Sequence, residues 1–165
     1  RGPAGSCHRC RAARPSRAWT PPGERDLLAD PMKGLSNGSR TMFGGRLEWT
    51  EPSAVRLLDP AEPLTLAGLD FMVDFAPGHT PGSVVFETNS TLFSGDVLFA
   101  GSIGRCDLPG GSWAAMQESL TRVILPRDDD MVVQTGHGAS TTIGRERRTN
   151  PFLQDLAGPP AARVP

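Results

Sequence analysis

A layered α/β domain is what the sequence predicts, and three observations carry the prediction. Residues 69–75, LDFMVDF, put Leu69, Phe71, Val73 and Phe75 on one face and Asp70 and Asp74 on the other, the period-two pattern of a half-buried strand. The short apolar runs SVVFET (83–88), STLFSGD (90–96) and MVVQTGHG (131–138) are bounded by Gly, Asn or Thr, as buried strands are. Residues 112–125, SWAAMQESLTRVIL, instead set Trp113, Met116, Leu120, Val123 and Ile124 near helical spacing. Strands mixed with amphipathic helices bury one another's apolar faces as layers.

The other elements follow in chain order. Residues 1–18 carry five arginines, no acid and almost no large apolar side chain, so they have little to bury and read as a disordered leader. Within them, Cys7-His8-Arg9-Cys10 is a lone C-x-x-C. A structural zinc site normally takes a second pair, so incidental thiols are the stronger reading. A basic arm for nucleic acid has no further support there. From Trp19 onward, PPGERDLLADP offers prolines at a helix start, an apolar pair at Leu27 and Leu28, and Pro31 as a stop. Residues 33–50, rich in Gly, Ser and Asn, predict a long loop. Ser112 caps the helix over 112–125 and Pro126 ends it. Residues 143–156 predict a polar helix broken before Pro151, then a short apolar turn, with 158–165 left as a tail.

Composition narrows the function classes. A length of 165 residues makes one domain the default. A net charge of −1 gives no global field for nucleic acid or an anionic membrane surface. No apolar run approaches the roughly 18–20 residues of a membrane span, and no signal-peptide pattern opens the chain. Three cysteines make no disulfide framework, which favours a reducing compartment and, by default, the cytoplasm. A chain that begins with Arg is read as processed or incomplete. GSVVF is not a nucleophile elbow, and FGG and PGG lack the lysine of a phosphate-binding loop.

His79, Asp96 and His137 share one setting. Each follows an apolar strand-like run and each is flanked by glycine: PGHTPG, FSGD and TGHG. Loops at the ends of packed strands are where site residues are commonly mounted. Two imidazoles and a carboxylate suit a divalent transition metal. Singly, each also reads as a capped turn or turn former. The set gains weight because the chain has three histidines and two of them hold such positions. On spacing alone, a shared metal site and three separate turns remain alternatives.

The segments APGHTPGSVVF, LFSGDVLFAGSIGRCDLPGG and TGHG followed by TTIGRERRTNPFL, in that order, resemble the short bacterial glyoxalase II-like (hydroxyacylglutathione hydrolase-like) branch of the metallo-β-lactamase superfamily. The match runs in register from about Trp19 to Leu156. The resemblance implies an αββα sandwich with a two-metal site at one edge, usually zinc, with iron or mixed metals as alternatives. By position, His79 resembles the third histidine of the first metal site. Asp96 resembles the carboxylate that bridges both metals and orients the reacting water, the catalytic role, and His137 resembles the last ligand of the second site. Arg105 and Asp107, in GRCDLPGG, match a loop beside the site and are expected to support the ligands or touch substrate. Cys106 reads as a plain loop residue. The family's His-x-His-x-Asp-His signature, which supplies four of its metal ligands, does not occur in this sequence, whose remaining histidine is His8.

The resemblance therefore implies that residues 19–157 are the C-terminal two-thirds of such a domain, truncated at the N-terminal side. The implied activity is hydrolysis of a small-molecule thioester by water activated on metal, impaired here for want of four ligands. The alternatives are a non-catalytic remnant and, were the signature restored, an iron enzyme of the persulfide dioxygenase type. No nucleic acid or membrane partner is expected, and the oligomeric state is left open.

Overall fold

In chain order the elements are β1 (Arg17–Thr20), α1 (Arg25–Ala29), α2 (Asn37–Met42), β2 (Ala54–Leu57), β3 (Leu64–Leu66), β4 (Leu69–Phe75), β5 (Val84–Thr88), β6 (Thr91–Gly95), β7 (Leu98–Phe99), β8 (Ser102–Ile103), α3 (Trp113–Ser119), β9 (Val132–Thr135), β10 (Thr141–Thr142), α4 (Ile143–Thr149) and α5 (Pro151–Ala157). They come from a computed structural model that describes residues 17–42 and 49–157. The Cys7–Cys10 motif with His8, most of the expected leader and the 158–165 tail lie outside the described residues.

The main sheet has six strands in the order β10-β9-β6-β5-β4-β3. β6 and β9 pair in parallel and the remaining neighbours are antiparallel. One face is covered by helices. Val85, Leu92 and Val133 from the sheet pack into a single core with Met116, Leu120, Ile124, Ile143 and Leu153, all fully buried. Each such side chain contributes roughly 1.5–3 kcal/mol by leaving water. α3 begins where Ser112 accepts a hydrogen bond from the Ala115 N–H at 3.2 Å, the expected cap. It continues through a π-helical turn over Leu120–Ile124. The polar helix expected to break before Pro151 is α4, and the short apolar turn expected after it is instead a second helix, α5.

Two expectations need correction. The long loop over 33–50 contains a 3-10 turn ending at Gly34 and then α2, while residues 43–48 lie outside the described residues. The Ser and Asn that read as loop act here as helix starters: Ser36 Oγ accepts from the Ser39 N–H at 3.2 Å, and the Ser36 carbonyl accepts from Arg40 at 2.9 Å. β1, paired in parallel with β2, starts at Arg17, inside the stretch read as leader. The apolar face of β4 is turned away from the helices. Register places Val73 opposite Phe86 and Phe86 opposite Phe93, on the side away from Val85, Leu92 and Val133. Val73 is buried at 2% exposure, while Leu69 and Phe75 remain 47% and 36% exposed.

Candidate metal centre

Topology explains why three distant sequence positions meet. β5 is antiparallel to both β4 and β6, and β9 is parallel to β6, so β4, β6 and β9 all end at the same edge of the sheet. The crevice outside the carboxyl ends of strands is the common ligand position in sheets of this kind. Asp96 directly follows β6, His137 lies just beyond β9, and His79 lies in the loop after β4. The backbone strengthens the junction: Gly136 N–H donates to the Gly95 carbonyl at 2.8 Å. A register shift between Phe93 and Gly95 bends the end of β6, and bulges of this type commonly re-aim side chains beside sites.

Asp96 is the hub. Its Oδ1 lies 2.9 Å from His137 Nδ1 and its Oδ2 lies 3.6 Å from His79 Nε2. The His79 ring is oriented from behind, because its Nδ1 lies 2.8 Å from the Arg105 carbonyl oxygen. A carbonyl accepts, so Nδ1 carries the proton in the neutral ring and Nε2 turns a lone pair toward Asp96, the arrangement of a metal-ligating histidine. His137 is held more loosely. Its side chain is 77% exposed, and the Phe99 ring meets it edge to face at 5.9 Å.

The loops leave no room for larger residues. A Cβ on Gly136 would collide with Asp96 Oδ1, and one on Gly104 would collide with the Asp96 carbonyl. In PGHT, a Cβ on Gly78 would lie 2.5 Å from the Met116 Cα, so this glycine lets the His79 loop rest directly on α3. Ser119 Oγ donates to the Pro77 carbonyl at 2.7 Å and the Ser112 N–H to the Gly78 carbonyl at 2.8 Å, which fixes the loop to α3.

Arg105 and Asp107 stand where a supporting loop was expected, but their parts differ. Arg105 meets His79 through its backbone carbonyl, a contact that does not depend on its side chain. Its guanidinium instead grips Asp107 with two hydrogen bonds of 2.7 Å each. That pairing draws the Asp107 carboxyl down to about 2 and raises the Arg105 guanidinium above its ordinary value. Burial first, and the neighbouring Asp107 charge second, push the Cys106 thiol up. This suits an unreactive loop residue whose Sγ donates to the Gly104 carbonyl. Sequence reasoning noted Gly136 as a flank of His137 but did not single out Gly104 or Phe99. The glycines were legible in principle as neighbours of the ligand-type residues, whereas Phe99 carried no signal of its own.

The donors suit a transition metal in kind, as two imidazoles and a carboxylate. They fall short in arrangement. Among the described residues, no group of three or more His, Cys, Asp or Glu side chains is gathered so as to hold an ion. Asp96 is hydrogen-bonded to an imidazole that would itself be a ligand.

A mixed sheet with helices on one face, and a His, Asp, His edge where its strands end, defines the class as a fold that mounts ligand-type residues at one end of a sheet. The chain belongs to the metallo-beta-lactamase superfamily, whose family model matches residues 12–137. It is 43% identical to an uncharacterized protein of Mycobacterium tuberculosis, over 82% of this chain and 64% of that protein. It is 46% identical over 94 residues to hydroxyacylglutathione hydrolase GloC of Haemophilus influenzae, covering 56% of this chain and 44% of that protein. Among solved structures, BLEG-1 B3 metallo-beta-lactamase superposes with a TM-score of 0.67 at 40% identity, over 82% of this chain and 64% of that one. TTHA1623 in a di-iron-bound form superposes at 0.62 with 38% identity and the same coverage of each chain, 82% and 64%. The chain thus spans 64% of the length of the M. tuberculosis relative. Among the described residues, no helix is long and apolar enough to cross a membrane.

Proposed function

We propose that this chain carries the C-terminal part of a glyoxalase II-like hydrolase whose substrate is a small-molecule thioester and whose metal is zinc or iron. The observation that carries the reading is Asp96 between two imidazoles at one sheet edge, within a sequence similar to GloC. A bound divalent metal supplies Lewis acidity and a reactive water near neutral pH. His79, already turned with Nε2 toward the site, and His137 are the residues that would hold it, with Asp96 between them; the loop carbonyl of Arg105 keeps His79 in its tautomer. The iron-bound neighbour supports iron as an alternative to zinc.

The described residues offer a metal too few donors for tight binding. Equilibrium dialysis against zinc is expected to leave well under one equivalent bound; a stoichiometric, chelator-resistant ion would overturn that expectation. The function itself is tested on a version extended upstream to carry a His-x-His-x-Asp-His segment. That protein should hold metal and cleave a hydroxyacylglutathione, and Asp96→Asn should abolish cleavage. A metal-loaded extended protein that leaves the thioester intact sinks the reading. A β-lactam included in the same assay tests the chemistry suggested by the BLEG-1 likeness.

A further inference from the structure

Glu146 lies on α4, fully buried, and every contact it makes bears on the loop that carries His137. Its Oε2 accepts from the Gly101 N–H at 2.7 Å and from Asn150 Nδ2 at 2.9 Å. Its Oε1 accepts from the Thr141 hydroxyl at 2.6 Å. Asn150, also fully buried, donates from the same Nδ2 to the Ser102 carbonyl at 3.0 Å. Gly101 lies in the turn of the β7–β8 hairpin, at a positive φ of 74°, and Ser102 opens β8. Phe99, on the first strand of that hairpin, meets the His137 ring. Thr141 opens β10, the strand that receives the chain after His137.

One buried carboxylate thus fastens both sides of the His137 loop: the hairpin whose aromatic ring abuts the imidazole, and the strand into which the loop runs. A carboxylate suits the place because the Gly101 N–H and the Asn150 amide group can only donate and the Thr141 hydroxyl donates as well. It has no ion pair among the described residues, so its partners are neutral dipoles rather than a salt bridge. The His137 imidazole is otherwise tied through its ring to Asp96 and is largely exposed, so its aim depends on this support. We propose that Glu146 is a positioning residue for His137, acting through the β7–β8 hairpin and Phe99. The inference rests on the reading above in taking Asp96 and His137 as site residues.

The test is made on the full chain by NMR of the histidine ring resonances at one fixed pH. Glu146→Gln keeps the volume but trades one acceptor oxygen for an amide NH2, so Gly101, Asn150 and Thr141 can no longer all donate to residue 146. It should shift the His137 ring resonances and leave those of His79, which is held by the Arg105 carbonyl, in place. In a Phe99→Leu background the same substitution should produce a smaller shift, the part carried by Thr141 and β10. Thr141→Val, which removes one donor, should move His137 the same way by less, and it carries the test if Glu146→Gln does not fold. Unmoved His137 resonances in the folded variants, equal shifts at His79, or an undiminished shift in the Phe99→Leu background each overturn the proposal. The readout uses neither metal nor substrate, so a failed thioester assay leaves it standing and the reverse also holds.

Discussion

Two glycines from other loops, Gly136 and Gly104, pack against Asp96, where a methyl group at either would occupy its space. A Cβ at Gly136 would meet the Asp96 carboxylate and the Gly95 backbone, and one at Gly104 would meet the backbone of Asp96 itself. Backbone cannot swing away as a side chain can, so Gly104→Ala should be the costlier change. Overpacking of this kind costs about 1–3 kcal/mol, and urea denaturation should show both variants destabilised, Gly104→Ala at the upper end or beyond. A Gly104→Ala protein as stable as the parent would mean that the loop is not packed as described. Asp107 makes a different prediction, in pH. Its folded value is depressed to about 2 by Arg105, below the ordinary 3.8, so the pairing contributes fully above about 3.8 and is lost as pH falls through about 2. Both partners are exposed, so salt should screen the effect. Carboxyl NMR of Asp107 should give a midpoint near 2 at low salt that rises in 0.5 M salt (a value on the order of a 3–5 Å Debye length); an unshifted midpoint would rule the ion pair out.

At the scale of elements, Arg127 ties the turn after α3 to the sheet. Its side chain, 10% exposed, donates to Asp74 on β4 at 2.6 Å and to Glu87 on β5 at 3.2 Å. Asp74 and Glu87 keep 50% and 30% of their side-chain exposure, which discounts the interaction toward the lower part of the range for charged hydrogen bonds. Arg127→Met should therefore lower stability by about 1.5 kcal/mol, the low end of that range, in thermal or urea unfolding, and by less in high salt. No change at low salt would show the pair to be ornamental. The same scale shows what sequence could disclose. β4, β5, β6, β9 and α3 are long enough to display a period or a capped apolar run, and their existence is legible from it. β7, β8 and β10 have two residues each, too few for any period, and β1 lies where Arg-rich composition points to disorder. The three ligand-type residues are legible because glycine frames them. Their supports are not: the Arg105 carbonyl, the Phe99 ring and Glu146 act through tertiary contacts that leave no trace in spacing.

For the molecule as a whole, the sheet has apolar residues on both faces and helices on one. Such a sheet is stable in water when both faces are covered. On the other face Leu66, Phe71, Phe86 and Phe93 line an open groove of about 300 Å³, with Phe71 edge-on to both Phe86 and Phe93 at 6.4 and 6.2 Å. Leu66 and Phe93 remain 39% and 41% exposed, and Leu69, Phe75 and Val132 share that face by register. The aromatic contacts give the patch some cohesion of their own, yet a contiguous apolar surface of this kind is uncommon on an isolated soluble domain. The chain should therefore bind an apolar dye such as anilinonaphthalene sulfonate under conditions where near-ultraviolet circular dichroism reports fixed tertiary packing, which separates a folded chain with a bare face from a molten one. Phe93→Gln should weaken dye binding, and because Phe93 is already well exposed it should cost little stability. If the folded chain binds no dye, or if Phe93→Gln leaves binding unchanged, something covers this face and the groove is not open in solution.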